Sequence, residues 1–268
     1  MTTERELDRV ARMRDPMAVL DEMGAPIDAG AYDWSTAAAQ PLTDEELFQL
    51  KYAAQVEWGT ENTFDSLDIS RDPLVKRFLR IWLEQEVVHA QLFSRLLAAH
   101  GVVVDPLHRT RQQRFAAWRG KWLNHLARLL VGDDFFAVHM TWGAVNELTT
   151  QRFYGVLHRT TRNELLRTIL HDVMVQEALH YSFYRNVAIR RLTDNPRGQR
   201  VVRLALTKLW SPVGVGLRSR DDAARLSRGL FGGRDDVVTQ IDSQLHRIPG
   251  LDGLHLIRRT VDGASLAA

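Results

Sequence analysis

Two segments of the chain each carry a glutamate and a histidine three residues apart. The first pair is Glu86 and His89, and the second is Glu177 and His180. Residues i and i+3 of an α-helix lie on one face, so each pair directs a carboxylate and an imidazole at the same point. Carboxylate oxygens and imidazole nitrogens together are suitable ligands for iron and manganese. Each pair therefore predicts half of a metal site.

A single glutamate precedes each pair at nearly the same distance along the chain. Glu57 precedes Glu86, and Glu147 precedes Glu177. Solvated surface helices could also carry such residues. However, Glu147 stands in a long stretch without another acidic residue, and a lone buried carboxylate is unfavourable unless it is paired or binds a metal. We therefore predict six metal ligands: Glu57, Glu86, His89, Glu147, Glu177 and His180.

The first of these glutamates has a competitor. Glu57 and Glu61 both lie on the inward face of the predicted first helix. Equal arm lengths about a turn at 68–73 place Glu57 opposite Glu86, and Glu57 also preserves the spacing between the two halves. Glu57 is the preferred ligand, and Glu61 stays open as an alternative ligand or as a neighbour of the site.

Four inward glutamates on four helices, with a histidine on two of them, resemble the di-iron site of ferritin-like four-helix bundles. By that resemblance Glu57 and Glu147 are terminal ligands, and Glu86 and Glu177 bridge two ions. Four carboxylates balance two ferrous ions, which keeps a reduced site neutral in the core. The expected cofactor is a pair of iron ions, one of which manganese could replace. Zinc fits less well, because its structural sites favour cysteine, which is absent.

Four helices must position these ligands. Thr43-Asp-Glu-Glu46 is typical of the capping box that begins a helix, and Gly101 suits a helix end. The predicted bundle helices begin near residue 43 and cover about 74–100, 135–159 and 163–191. A long connection with a helix of its own, at 111–131, would let the second and third helices run parallel, as ferritin-like folds require.

The predicted fold is all-α and has three segments. Residues 43–193 form the bundle, 1–42 an N-terminal helix and loop, and 194–268 a C-terminal helical appendage. We expect this appendage to cap the bundle or to form a dimer contact. The patterns outside the bundle are a helix at 3–23 with a break at Pro16, a short apolar piece at 204–210, and helices at 220–231 and 235–246.

The composition is that of a soluble globular protein, with 45% hydrophobic and 25% charged residues. No apolar run is long enough for a membrane span, and the N-terminus lacks the apolar centre of a signal peptide. The absence of cysteine excludes disulfides and a thiolate-ligated iron–sulfur cluster. We therefore expect a cytoplasmic protein that receives electrons from an external donor such as a ferredoxin.

The ligand helices also resemble those of the soluble acyl-carrier-protein desaturases, over about residues 45–190. The stretch Trp82-Leu-Glu-Gln-Glu-Val-Val-His89 is similar to that family's Trp-x-x-Glu-Glu-x-x-His motif. Glu147-Leu-Thr-Thr150 keeps a threonine three residues after the terminal glutamate. The resemblance carries all six ligand types onto this chain. It also implies that the Thr150 hydroxyl lies beside the metal pair and assists oxygen activation.

One departure from this family concerns the residue before the fourth-helix glutamate. The family has an aspartate there, which links a loop tryptophan to a ligand histidine, and this chain has Gln176. Trp34 could be the corresponding tryptophan, with an altered link.

Among the other aromatic residues, Trp58, Trp82, Trp142, Phe64 and Phe153 are predicted to be core packing unless a cavity opens beside them. His139 could approach the site, although a surface or hydrogen-bonded histidine is the commoner case.

The resemblance implies an O2-dependent oxidase that acts on an acyl or other hydrophobic substrate, with desaturation as the leading reaction. An N-oxygenase or hydroxylase of a natural-product pathway uses the same ligands, and a ferritin-like iron-binding protein is the non-catalytic alternative. A ribonucleotide-reductase-like radical subunit is disfavoured, because Phe93 stands where that class has its tyrosine. The protein is expected to be a homodimer.

Two basic segments suggest an acidic partner. Residues 106–128 contain six lysines and arginines and no acidic residue, and 185–203 contain six arginines and one aspartate. An acyl carrier protein, which is small and acidic, would fit such patches, and solvated helix faces are the alternative. The net charge of only +2 and the lack of a recognition motif argue against nucleic acid.

Overall fold

A computed structural model of the chain describes residues 14–60, 72–104, 132, 134–215 and 219–263. Several parts of the sequence prediction lie outside these ranges. They are Glu61, Phe64, the start of the helix predicted at 3–23, the crossover helix at 111–131 and the basic segment at 106–128.

The described residues form nine α-helices and no β-strand, which confirms the predicted all-α class. The assignment to the ferritin-like architecture stays a prediction. The helices are α1 (Pro16–Glu22), α2 (Asp44–Trp58), α3 (Pro73–Ala99), α4 (Asp134–Thr160), α5 (Glu164–Leu192), α6 (Pro196–Leu209), α7 (Arg220–Phe231), α8 (Asp235–Leu245) and α9 (Leu256–Val261). Two short 3-10 turns, Ala29–Ala31 and Trp34–Thr36, lie between α1 and α2.

Capping residues determine where the long helices begin. The backbone N–H of Glu46 donates to the Thr43 hydroxyl, and the backbone N–H of Thr43 donates to the Glu46 carboxylate, so the predicted capping box of α2 is present. Asn163 caps α5 in the same way, because its side-chain oxygen accepts from the N–H of Leu166 at 2.8 Å. Pro73 starts α3 at a position where its missing N–H is harmless.

Helix α5 is the centre of the molecule. Every residue from 176 to 189 is buried, so neighbours cover α5 on all sides. Helices α3 and α4 both run antiparallel to α5. Gln85 near the middle of α3 contacts His180, and Asp72, which caps the start of α3, contacts Arg191 near the end of α5. Because each of these two helices is antiparallel to α5, they are parallel to each other. Helix α2 packs along α3 and completes the set of four.

The N-terminal and C-terminal segments share the core of the four long helices. Helix α1 packs on α5, α6 packs on α4 and α5, and α7 and α8 pack on α4. One cluster of buried apolar residues runs from Val19 to Ile257, so all three predicted segments contribute to it. No helix within the described ranges has both the length and the apolar character needed to cross a membrane.

Two parts of the tail differ from the sequence prediction. Residues 204–210 were expected to be only a short apolar piece, but they end the full helix α6, which begins at Pro196. Proline is acceptable at the first helical position, so Pro196 can start this helix. Helix α9 was not predicted. The Asp242 carboxylate accepts from the N–H groups of Ile257 and Arg258 in its first turn, a contact that depends on tertiary structure.

Candidate metal centre

The six predicted ligands meet in the core of the molecule. Each of the four long helices contributes one glutamate, and α3 and α5 each add a histidine. Their exposed fractions lie between 0% and 7%, which excludes the alternative of solvated surface residues. The residues are Glu57 on α2, Glu86 and His89 on α3, Glu147 on α4, and Glu177 and His180 on α5.

The six residues form two overlapping sets of four. In one set Glu86 and Glu177 join Glu57 and His89, and in the other they join Glu147 and His180. Within each set the potential ligand atoms lie within 4.8 Å of one another. Each set could hold one metal ion. The two shared carboxylates could reach both ions, as the assignment of Glu86 and Glu177 as bridges predicts.

The buried polar atoms of the cluster fit a cation. Oε1 of Glu86, Oε1 of Glu177 and Nδ1 of His89 have no hydrogen-bond partner among the residues that the structure describes. Nδ1 of His89 lies 3.3 Å from Glu177 Oε1, and Nδ1 of His180 lies 3.1 Å from Glu86 Oε1. These atoms all carry lone pairs, so they repel unless a proton or a metal ion lies between them.

Two glutamines hold the outer nitrogens of the two histidines. Oε1 of Gln176 lies 2.9 Å from Nε2 of His89, and Oε1 of Gln85 lies 2.7 Å from Nε2 of His180. The sequence analysis treated Gln176 only as a departure from a family pattern and missed Gln85. The repeated Gln-Glu-x-x-His could have identified both, because each glutamine directly precedes a predicted bridging glutamate.

The two terminal carboxylates each accept one hydrogen bond from an aromatic side chain. The Tyr154 hydroxyl donates to Glu57, and Nε1 of Trp82 donates to Glu147 Oε1 at 3.0 Å. Trp82 was predicted to be core packing, and this bond gives it a specific contact with the site. Tyr154 also packs against Phe93, with ring centroids 5.3 Å apart. A buried tyrosine therefore lies beside the cluster, although it comes from α4 and not from α3.

The cluster is electrostatically strained without a cation. Burial, followed by repulsion from Glu86, raises the pKa of Glu57 well above its usual value. Burial and repulsion from Glu177 raise the pKa of Glu147 in the same way and that of Glu86 to about 7. Burial alone would also raise the pKa of Glu177, but close contacts with the imidazoles of His180 and His89 lower it below the usual range. These raised pKa values indicate that the cluster favours added positive charge, which a metal ion would supply.

A polar pocket of about 1010 Å³, counted to its open mouth, leads to the cluster. All four glutamates line it, together with Thr150, which lies one helical turn beyond Glu147. His139 is half-buried and lies in the same wall, so it approaches the site, which is one of the two alternatives left open by the sequence. Burial lowers the pKa of His139 to about 4, so this imidazole is neutral near pH 7.

An apolar chamber, the smaller of the two cavities, shares part of its wall with this pocket. The two cavities share Val56, Thr150, Pro212 and Val213. The C-terminal segment builds much of the chamber wall, whose lining includes Ala53, Phe153, Trp210, Ala223, Leu226, Leu230, Phe231 and Ile257. Phe153, predicted to be simple packing, therefore lies beside a cavity.

The structure also tests the predicted link between Trp34 and Gln176. The indole of Trp34 donates to the carbonyl of Ala29, and Gln176 donates to the carbonyl of Ala25, so no link joins Trp34 to Gln176. This corrects the proposed tryptophan link. The reason is geometric, because the loop presents a backbone carbonyl to the glutamine in place of the indole.

The basic stretch 185–203 is largely engaged within the chain. Arg190 pairs with Asp15, and Arg191 pairs with Asp72. Arg203 donates to the carbonyls of Gly250 and Asp252. These contacts attach the N-terminal and C-terminal segments to the bundle. Because several of its arginines are engaged in this way, the stretch is a weaker candidate for a docking surface than its composition suggested.

Comparison with protein-family models, with curated proteins and with solved structures finds no match for this chain. The resemblance to ferritin-like di-iron proteins and to the acyl-carrier-protein desaturases therefore rests on the ligand motifs and on the geometry of the cluster.

Proposed function

We propose that the protein is an O2-dependent di-iron oxidase that acts on an acyl or other hydrophobic organic substrate, with desaturation as the leading reaction. The observation that supports this most is the pair of overlapping ligand sets, which share two carboxylates and contain one histidine each. Carboxylate-rich sites with one imidazole per ion suit iron or manganese better than zinc. An iron pair bound here and reduced by an external donor would activate O2, the oxidant that removes hydrogen from an unactivated carbon.

The side chains around the cluster would hold and orient the ions. Tyr154 and Trp82 each fix one terminal carboxylate, so the carboxylate oxygens that they leave free can face a metal. Thr150 offers a hydroxyl at the junction of the two cavities, where oxygen and the reacting carbon would meet. The apolar lining of the chamber excludes water from the hydrocarbon part of a substrate.

The apolar chamber beside the polar pocket favours an enzyme over an iron store. Iron storage requires access for hydrated ions, which the polar pocket alone would provide, and it has no use for an apolar chamber beside the cluster. Hydroxylation or N-oxygenation of a hydrophobic substrate is the second candidate, because it needs the same ligands and the same chamber. The electrons would come from an external donor such as a ferredoxin. A carrier-bound substrate and a homodimeric assembly belong to the same proposal.

The test is anaerobic loading of the purified protein with Fe(II), followed by metal analysis and O2 uptake. We expect about two iron ions per chain. With an added reductant, O2 uptake should rise when acyl thioesters or acyl carrier protein substrates are present. Continued uptake of iron far beyond two ions per chain would instead support iron storage. A wild-type protein that binds neither iron nor manganese would overturn the proposal.

A further inference from the structure

Gln85 and Gln176 each bridge a predicted ligand histidine and a backbone carbonyl of the segment that follows α1. The amide nitrogen of Gln85 donates to the carbonyl of Met23 at 2.7 Å, and its Oε1 lies 2.7 Å from Nε2 of His180. The amide nitrogen of Gln176 donates to the carbonyl of Ala25 at 3.0 Å, and its Oε1 lies 2.9 Å from Nε2 of His89. Each glutamine thus contacts the histidine of the other ligand helix.

These contacts determine which imidazole nitrogen carries hydrogen. A backbone carbonyl can only accept, so the NH2 group of each glutamine must face it. The amide oxygen then faces Nε2, and since this oxygen can also only accept, Nε2 must be an N–H donor. A flipped amide would set two oxygens against each other at Met23 and at Ala25. In a neutral histidine the lone pair is then on Nδ1, the atom that faces the glutamates.

Burial makes these contacts costly to lose. Gln85 is fully buried, Gln176 is 8% exposed, and both histidines are inaccessible to solvent. Water therefore cannot easily replace either amide, and a lost partner would leave a buried donor unsatisfied. The carbonyls of Met23 and Ala25 in turn hold the two glutamines in place. The position of the N-terminal segment therefore influences both histidines of the cluster, each through one glutamine.

We propose that Gln85 and Gln176 are positioning residues that hold His180 and His89 with Nε2–H outward and Nδ1 toward the metal ions. The segment after α1 is therefore part of the metal site, although it contributes no ligand. This inference rests on the proposed di-iron function for its effect on metal binding, but the assignment of the imidazole N–H groups does not. A glutamine partner also adds no charge to the site, whereas a carboxylate partner would draw the Nε2 proton toward itself and add negative charge to a balanced site.

The first test is NMR of metal-free protein with 15N-labelled histidine. An Nε2–H bonded to glutamine is expected whether or not the imidazole is protonated at Nδ1. We expect slowly exchanging Nε2–H signals from His89 and His180 in the wild type. Gln85→Leu should remove only the His180 signal, and Gln176→Leu only the His89 signal. Wild-type protein with hydrogen on Nδ1 alone, or unchanged signals in both variants, would overturn the inference.

The second test is calorimetric titration with Co(II) as the probe. Each substitution should lower the affinity for one Co(II) ion by about 10–100-fold. The affected ion is the one bound by the histidine that the glutamine contacts, and the affinity for the other ion should change less. Gln85→Leu on α3 should therefore affect the ion on the His180 side. Gln91→Leu, at an exposed glutamine of the same helix, is the matched control and should bind as the wild type does.

A nearly isosteric change protects the test against a folding defect. Gln85→Glu keeps the volume but sets a carboxylate oxygen against the carbonyl of Met23. This variant should also lower the affinity for the ion on the His180 side. Equal Co(II) binding by wild type, Gln85→Glu and Gln85→Leu would contradict the positioning role. Wild-type protein that shows both Nε2–H signals but binds no Co(II) would overturn the proposed function and leave the tautomer assignment intact.

Discussion

At the scale of single residues, the carboxylates of the cluster are of two kinds. Glu86 and Glu177 belong to both ligand sets, whereas Glu57 and Glu147 each belong to one. A ligand that serves two ions should be needed for both, so Glu86→Gln should reduce the metal content from about two ions per chain to nearly none. Glu57→Gln should leave about one. Metal analysis after gel filtration measures this difference.

The matched control for this prediction is Glu84→Gln. Glu84 lies on the same helix as Glu86 but is exposed, so its removal should leave both ions in place. A full metal content in Glu86→Gln would show that the shared carboxylates are not bridges.

The hydrogen-bond donors to the terminal carboxylates should act on different ions. Tyr154→Phe removes the hydroxyl that donates to Glu57 and should lower the affinity for the ion on the Glu57 side by about 10–100-fold. Trp82→Phe removes the indole donor to Glu147 and should lower the affinity for the other ion by a similar factor. Competitive titration with Co(II) can separate the two effects. Equal weakening of both ions by either variant would contradict the assignment.

Thr150 is expected to act on oxygen chemistry and not on metal binding. Its side chain lines both cavities and lies one turn beyond Glu147, but it belongs to neither ligand set. Thr150→Val preserves the shape and removes the hydroxyl. The variant should keep both ions and show slower O2 uptake, or uptake that is no longer matched by product. Thr141→Val is a suitable control, because the Thr141 hydroxyl donates to the carbonyl of Ala137 within the same helix and lines neither cavity. Turnover equal to that of the wild type would reduce Thr150 to a packing residue.

At the scale of helices, the sequence contained local information that was sufficient to place the four long helices. Capping residues such as Thr43 and Asn163 act within one turn, so their effect can be predicted from neighbouring residues. The contacts of Gln85 could not be predicted in this way, because they join α3 to α5 and to the segment after α1. Helix α9 depends on Asp242 of another helix for the same reason. The types and spacing of the predicted ligands could be recognised in the sequence, whereas the tertiary hydrogen bonds that orient their side chains could not.

The C-terminal helices also carry a prediction at this scale. Ala223 on α7 is buried and lines the apolar chamber, so Ala223→Phe should fill part of it. The variant should keep its metal ions, because no ligand touches this wall, but lose most substrate-dependent O2 uptake. Ala224→Phe changes the neighbouring residue, which does not line the chamber, and should retain that activity. Undiminished turnover of a hydrophobic substrate by Ala223→Phe would exclude the chamber as the substrate site.

At the scale of the whole molecule, the buried cluster couples folding to protons and to metal. Glu57, Glu147 and Glu86 have raised pKa values, mainly because of burial, and that of Glu86 is about 7. Burial alone would lower the pKa of His180, but hydrogen bonds with the surrounding glutamates raise it well above its usual value. In all four cases the folded state binds protons more tightly than the unfolded chain does. The free energy of unfolding must then fall as the pH rises above the unfolded pKa values.

The metal-free protein is therefore expected to lose thermal stability between about pH 5 and pH 8, since this window begins above the unfolded pKa of glutamate and contains that of histidine. Glu177, with its lowered pKa, has the opposite sign, but its contribution is lost only as the pH falls below this window. Two divalent ions would replace the protons, so loaded protein should show a flatter profile and a gap in Tm that widens with pH. Thermal unfolding with and without metal at both ends of the window measures this gap. Glu86→Gln, which removes one of the titrating groups, should flatten the profile of the metal-free protein. A Tm of the metal-free wild type that rises with pH across the window would show that the cluster does not hold protons in place of metal ions.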